Sequence, residues 1–196
     1  MKRSSIILLS VAGILILAIF WGVSKYNGLV TKDEAVSGQW ANVENQYQRR
    51  ADLIPNLVAT VKGYASHESE TLEGVVAARA KATQITVDPN NLTPEKLQQY
   101  QAAQGELSSA LGKLLMITEN YPELKANQNF LELQAQLEGT ENRIATERGR
   151  FNELSKDFNA TVRKFPTNIV ASLAGFEKKA YFEAEEGSEK APEVKF

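Results

Sequence analysis

Apolar residues along this chain return at intervals of three and four, the spacing that lines one face of an α-helix. Val36, Trp40, Val43 and Tyr47 form one such stripe, and Ile54, Leu57, Val61 and Tyr64 form the next. Leu72, Val75, Val76 and Arg79 carry it on towards Ile85. The segment VDPNNLTPE, residues 87–95, interrupts the pattern with turn chemistry. Asp88-Pro89 and Asn90-Asn91 favour bends, Thr93 can cap a helix, and Pro94 suits its first position. The helix that follows carries Leu97, Tyr100, Leu107, Leu111, Leu114 and Leu115 and is expected to end near Asn120-Tyr121-Pro122. A further long helix carries Phe130, Leu133, Leu137, Ile144, Phe151, Leu154, Phe158, Val162 and Phe165, and Pro166 ends it. Phe151, Phe158 and Phe165 stand seven apart, and Asn152 and Asn159 follow two of them. A seven-residue apolar repeat marks a seam that packs against other helices. Residues 167–175 read as a short capping helix closed by Gly175. No segment sustains the alternation of a strand. The pattern predicts an all-α fold, with long helices near 27–50, 53–87, 93–120 and 127–165 forming an antiparallel bundle of about four.

A different pattern precedes the bundle. After a short basic stretch, residues 1–5, residues 6–23 read IILLSVAGILILAIFWGV, 18 residues without a charge. That length lies near the lower end of what spans a bilayer, about 17–25 residues. Phe20, Trp21 and Tyr26 stand at one end, where amphipathic aromatics favour the membrane interface. A cleaved signal peptide would have a shorter apolar core and a small-x-small site after it; Trp21, Lys25 and Tyr26 surround the place where that site would fall. Residues 6–23 are therefore expected to be an uncleaved transmembrane anchor. Residues 27–176 follow as the bundle domain, and 177–196 as an acidic tail of disordered composition.

Charge bears on orientation more than on chemistry. The first 31 residues carry Lys2, Arg3 and Lys25 and no acid, which leaves a formal −5 on the remainder. Lys2, Arg3 and the amino terminus face Lys25 across the span, with Lys32 close by on the far side. The positive-inside rule puts the N-terminus in the cytoplasm and the bundle outside. A net charge of −2 gives no reason to expect nucleic acid as a partner. The absence of cysteine excludes disulfides, thiolate metal sites and cysteine nucleophiles.

Candidate chemistry is sparse. His67 is the one histidine; Glu70 at i+3 would share its helix face, but a zinc site needs at least three protein ligands. A polar residue at a helix surface or end is the better reading. Glutamate-built metal sites in bundles use two Glu-x-x-His pairs, which one histidine cannot supply. Gly105, Gly112, Gly139 and Gly149 form no phosphate-cradling loop and suit close helix packing or local bending. No catalytic residue, metal ligand or cofactor is assigned.

The stretch QYQRRADLIPNLVATVKGYA, residues 46–65, carries the one cluster that stands out: Arg49, Arg50, Asp52 and Asn56 around Pro55. Two structural readings are open. In the favoured one the helix breaks, Asp52 caps a new helix and Pro55 sits harmlessly in its first turn. In the other a single long helix bends at Pro55, as the near-continuous heptad phase through Ile54 suggests. Under either, an arginine can meet Asp52 or the carbonyls exposed at the bend. The functional reading makes the four residues a basic-polar patch for lipid headgroups or a partner.

YNGLV at 26–30, Trp40, RRADLIPNLVATVKGYASHE at 49–68 and ARAKA at 78–82 together resemble the bacterial LemA family. FNELSKDFNATVRKFPTNIVASLAGF at 151–176 and YFEAEE at 181–186 resemble its C-terminal half. The resemblance implies an N-terminal transmembrane helix, a helical bundle and no established enzymatic activity. Some members are tied to intracellular membrane organelles or occur beside membrane proteases, which implies a scaffold role by analogy. It also implies the opposite orientation, with the short N-terminus outside.

The expectation is a single-pass protein of the bacterial inner membrane, held in the bilayer by residues 6–23. Its helical bundle would serve interaction or scaffolding, with other membrane proteins or further copies of itself as partners. The alternative is a sensor bundle that binds lipid or a small ligand in a cavity between helices.

Overall fold

The computed structural model describes residues 3–89 and 92–183, with side chains from residue 7 onward. Among the described residues there are six helices and no strand. α1 runs unbroken from Arg3 to Tyr64, α2 covers Ser69–Gln84, α3 Pro94–Thr118, α4 Pro122–Lys125, α5 Gln128–Arg163 and α6 Thr167–Leu173. Side-chain contacts give the topology. Lys32 pairs with Asp157, Gln39 with Glu147 and Arg50 with Glu141, so α5 runs antiparallel to α1. Arg79 meets Ala51 on the way back along α2, and Lys81 meets Glu106 on α3. The bundle is antiparallel, up-down-up-down.

Local signals explain most boundaries. Thr93 caps α3 by accepting from Lys96 N, with Pro94 at the first position. Asn127 caps α5 by accepting from Phe130 N at 3.0 Å. Gly175, at φ 75°, closes α6, and Phe176 N donates back to Ala171 O at 2.9 Å.

The break expected at Asp52 falls elsewhere. α1 continues through Pro55 and ends only at Tyr64, and the turn lies at Ala65–Glu68. Two causes keep the helix whole. Ala51, Ile54, Leu57 and Val61 are all buried, so the apolar stripe holds its phase across the proline. The carbonyl that Pro55 cannot bond, that of Ala51, accepts instead from Arg79 Nε at 2.7 Å. The second expected helix is correspondingly short.

The first residues of the expected tail pack on the bundle. Ala180 and Phe182 are buried, and the segment 177–183 lies along α5. The remainder of the acidic tail, 184–196, lies outside the described residues.

The core has two apolar parts. The one nearer the N-terminal stalk centres on Trp40, whose ring stacks on Phe182 at 5.8 Å and meets Tyr100 at 5.3 Å and Phe151 at 5.7 Å. The far one holds Ile54, Leu57, Val61, Leu107, Leu114 and Phe130. Residues 7–23 project from the bundle as an exposed apolar stalk.

Candidate functional site

Between the two apolar parts lies a polar layer, and its position follows from the heptad. On α1 the inward positions run Val36, Trp40, Val43, Tyr47, Arg50, Ile54, Leu57 and Val61, steps of four and three throughout. Arg50 occupies a core position and is 1% exposed. On α3 the same stepping, Leu97, Tyr100, Gln104, Leu107, brings Gln104 inward. Glu141 on α5 follows the buried Thr140 and precedes the core residue Ile144.

These side chains satisfy one another. Arg50 Nη1 donates to Ser108 Oγ at 2.7 Å and to Glu141 Oε1 at 2.8 Å. Nη2 donates to Gln104 Oε1 at 2.6 Å and to Gln104 O at 3.1 Å. Gln104 Nε2 donates in turn to Ala82 O on α2 at 3.3 Å. The guanidinium lies over the Tyr47 ring at 5.2 Å. α1, α2, α3 and α5 are thus tied at one level around a planar cation whose fork matches the acceptors. Burial raises the Tyr47 phenol above its ordinary value, although Arg148 and Arg50 pull it back. Burial likewise raises Tyr100, and Tyr47 adds to that.

A groove of about 440 Å³ opens beside this layer, lined by Arg50, Gln101, Ser108, Glu141, Arg148 and Glu183 among others. Glu183 enters it from the C-terminal segment, which two asparagines hold. Asn159 Nδ2 donates to Lys179 O at 2.9 Å while its Oδ1 accepts from Lys179 N at 2.8 Å. Asn152 grips Phe182 in the same way, at 2.9 and 2.8 Å. Arg148 lies over the Phe182 ring at 4.8 Å and donates to Glu183 O, as does Gln101. Each asparagine amide pairs with one backbone residue much as a neighbouring strand would.

Of the four residues singled out around Pro55, Arg50 alone turns inward. Arg49, Asp52 and Asn56 are exposed on the outer face of α1. Asp52 does not cap: it accepts from Gln48 Nε2 at 2.8 Å, one turn back along the same helix. The arginine that answers the proline is Arg79, not a member of the cluster. Gln104, Ser108, Glu141 and the two asparagines were missed as a site. The signal for Gln104 and Arg50 is a polar residue on a 3-4 stripe; for the asparagines it is Phe-Asn repeated at seven. His67 sits exposed in the turn after α1, and among the described residues no three of His, Cys, Asp and Glu come together as a metal site would need. A methyl group at Gly105, Gly112 or Gly149 would meet open space, so close packing does not require those glycines.

These features define a class: a helical bundle carried on one long helix whose first part is apolar and exposed. The chain belongs to the LemA family, whose model matches residues 39–196. It is 28% identical to Magnetosome protein MamQ 2 of Paramagnetospirillum magneticum, over 81% of this chain and 65% of that protein. It therefore spans slightly under two thirds of that relative's length. It is 26% identical to Protein LemA of Metamycoplasma hominis, over 88% of this chain and 76% of that protein. The match to Magnetosome protein MamQ of Magnetospirillum gryphiswaldense is also 26% identical, over 81% of this chain and 64% of the relative.

Proposed function

We propose that the protein is a single-pass, membrane-anchored helical bundle that works by binding other membrane proteins or copies of itself, and not by catalysis. One observation carries this reading: α1 passes without a break from an exposed apolar segment, residues 7–23, into the centre of the bundle. An apolar helix face of that size is stable in hydrocarbon and not in water. The Arg50, Gln104, Ser108 and Glu141 side chains bond to one another across the bundle, which suits a rigid support. Arg49, Asp52 and Asn56, on the outer face of α1, offer a surface for a partner. The relatives named for the magnetosome favour a role within a larger assembly.

Photo-crosslinking in cells from residues 49 and 56 tests the binding role. Capture of one defined membrane protein, or of a second copy, is expected. Capture of lipid alone, or of nothing above background, overturns the role of that surface. The bundle is assigned to the extracytoplasmic side, because Lys2 and Arg3 precede the span and Lys25 follows it. Protease added to spheroplasts then removes the bundle; full protection, with digestion after permeabilisation, reverses the orientation.

A second reading, a sensor for a small polar ligand, is favoured by the groove beside Arg50 and Arg148. Arg50 Nε is buried without a partner among the described residues, a donor that an acceptor entering the groove could use.

A further inference from the structure

We infer that α6 and the chain leading into it form a second membrane contact, seated in the same leaflet from which the α1 span emerges. The inference rests on the anchor proposed above and adds the depth at which the bundle sits.

The apolar groups are already on the surface. Phe165 is 81% exposed, Ile169 51% and Leu173 86%. Ile169 and Leu173 stand four apart and share one side of the short helix, while Thr167 and Ala171 bury the other against the bundle; Phe165 is exposed in the turn that leads into it. Leu173 and Phe165 are the two most exposed large apolar side chains among the described residues, the span included.

Their height is fixed by pairing. Lys32 on α1 meets Asp157 on α5, and the helices run antiparallel, so Arg163 at the end of α5 lies level with Tyr26. That is three residues past Val23, or about 4.5 Å along the helix. Tyr26 itself touches Phe176, just beyond α6, with ring centroids 5.9 Å apart. α6 thus lies close to the level of Tyr26, within a turn of the end of the apolar run, where a bilayer changes from hydrocarbon to headgroup. An amphipathic helix at that level sinks its apolar face about 5–10 Å into the boundary.

Charge fits the same occupant. Lys25, Arg163, Lys164 and Lys178 are exposed around this end, with Glu177 among them. A cationic rim around an apolar face suits an interfacial helix that meets anionic headgroups. α1 enters the bilayer beside this face, so lipid is the neighbour that its own geometry supplies.

The chain has no cysteine, so single labels can be placed freely. The full chain carrying Ile14→Cys, Leu173→Cys or Met116→Cys, each bearing an environment-sensitive fluorophore, is reconstituted in phosphatidylcholine–phosphatidylglycerol vesicles with brominated acyl chains. Residue 116 is exposed at the far end of the bundle. Bromine is expected to quench the labels at 14 and 173 and to leave the label at 116 bright. Arg163→Gln with Lys164→Gln is expected to reduce quenching at 173 and leave it unchanged at 14. If 14 is quenched while 173 stays as bright as 116, the second contact is wrong and the anchor stands. A label at 173 that shifts to the blue without quenching shows a protein surface in place of lipid and also overturns it. If 14 is not quenched, the anchor fails and the second contact with it.

Discussion

Arg79 Nε donates to the carbonyl of Ala51 at 2.7 Å, replacing the helical hydrogen bond that Pro55 cannot make. The pair joins α2 to the middle of α1 and explains why a proline sits inside a helix without ending it. Arg79→Ala should leave that carbonyl without its donor, at a cost of about 1–3 kcal/mol. Pro55→Ala restores the amide, so the same arginine substitution should cost less in that background. Urea unfolding of the four proteins in detergent gives the coupling, expected to exceed about 0.5 kcal/mol. Strictly additive effects would show that the arginine acts elsewhere.

Asp52 lies in the body of α1 and accepts from Gln48, one turn back on the same helix surface. Asp52→Ala should therefore change stability by no more than about 0.5 kcal/mol. A loss of a full kcal/mol in the same unfolding measurement would restore its role as a helix cap.

Arg50 makes an ordinarily conservative change the harmful one. A lysine there keeps a buried charge but loses the fork that reaches Ser108, Gln104 and Glu141 together. Arg50→Lys is expected to cost about 3 kcal/mol, as for a buried ion whose pairing is broken. Arg50→Met leaves Glu141, which is 44% exposed, free to turn to water, and should cost nearer 1 kcal/mol. The reverse order in chemical denaturation would contradict the layer described here.

Tyr47 and Tyr100 predict the alkaline limit of stability. Burial raises both phenols in the folded chain, so the unfolded chain releases these protons first, near pH 10. The unfolded state then binds fewer protons, and stability falls as pH rises past that value. The contribution is fully present below pH 10. Tyr100→Phe should flatten this fall, measured as unfolding midpoint against pH from 8 to 12. An unchanged slope would mean that the Tyr100 phenol is not shielded.

The asparagine clasp is expected to protect the chain at Lys178 and Lys179, where Lys179 also pairs with Asp33 at 2.6 Å. Trypsin should cut there slowly in the native protein and quickly after Asn152→Ala with Asn159→Ala. Mass spectrometry of the shortened product reads the result; equal rates in both proteins would mean that the segment is not held.

The helices were legible because their stripes, caps and closing glycine are local: Thr93-Pro94 and Gly175 do their work within a few residues. The path through Pro55 was not, because the group that rescues Ala51 lies 28 residues away on another helix. The same holds for Phe182. It stands between two lysines and a run of acids, in KKAYFEAEE, but its burial depends on Trp40, Asn152 and Arg148. Arg50 lay between the two. Its 3-4 phase was present in the sequence, whereas its acceptors on α3 and α5 could only be found by folding the chain.

The continuity of α1 is what joins span to bundle, and a distance measures it directly. Spin labels at Phe20→Cys and Gln48→Cys, in the cysteine-free full chain in vesicles, lie 28 residues apart on one helix. At 1.5 Å per residue they should give a single narrow distance of about 42 Å, before allowance for the label arms. A broad or markedly shorter distribution would place a hinge between membrane and bundle and contradict a continuous stalk.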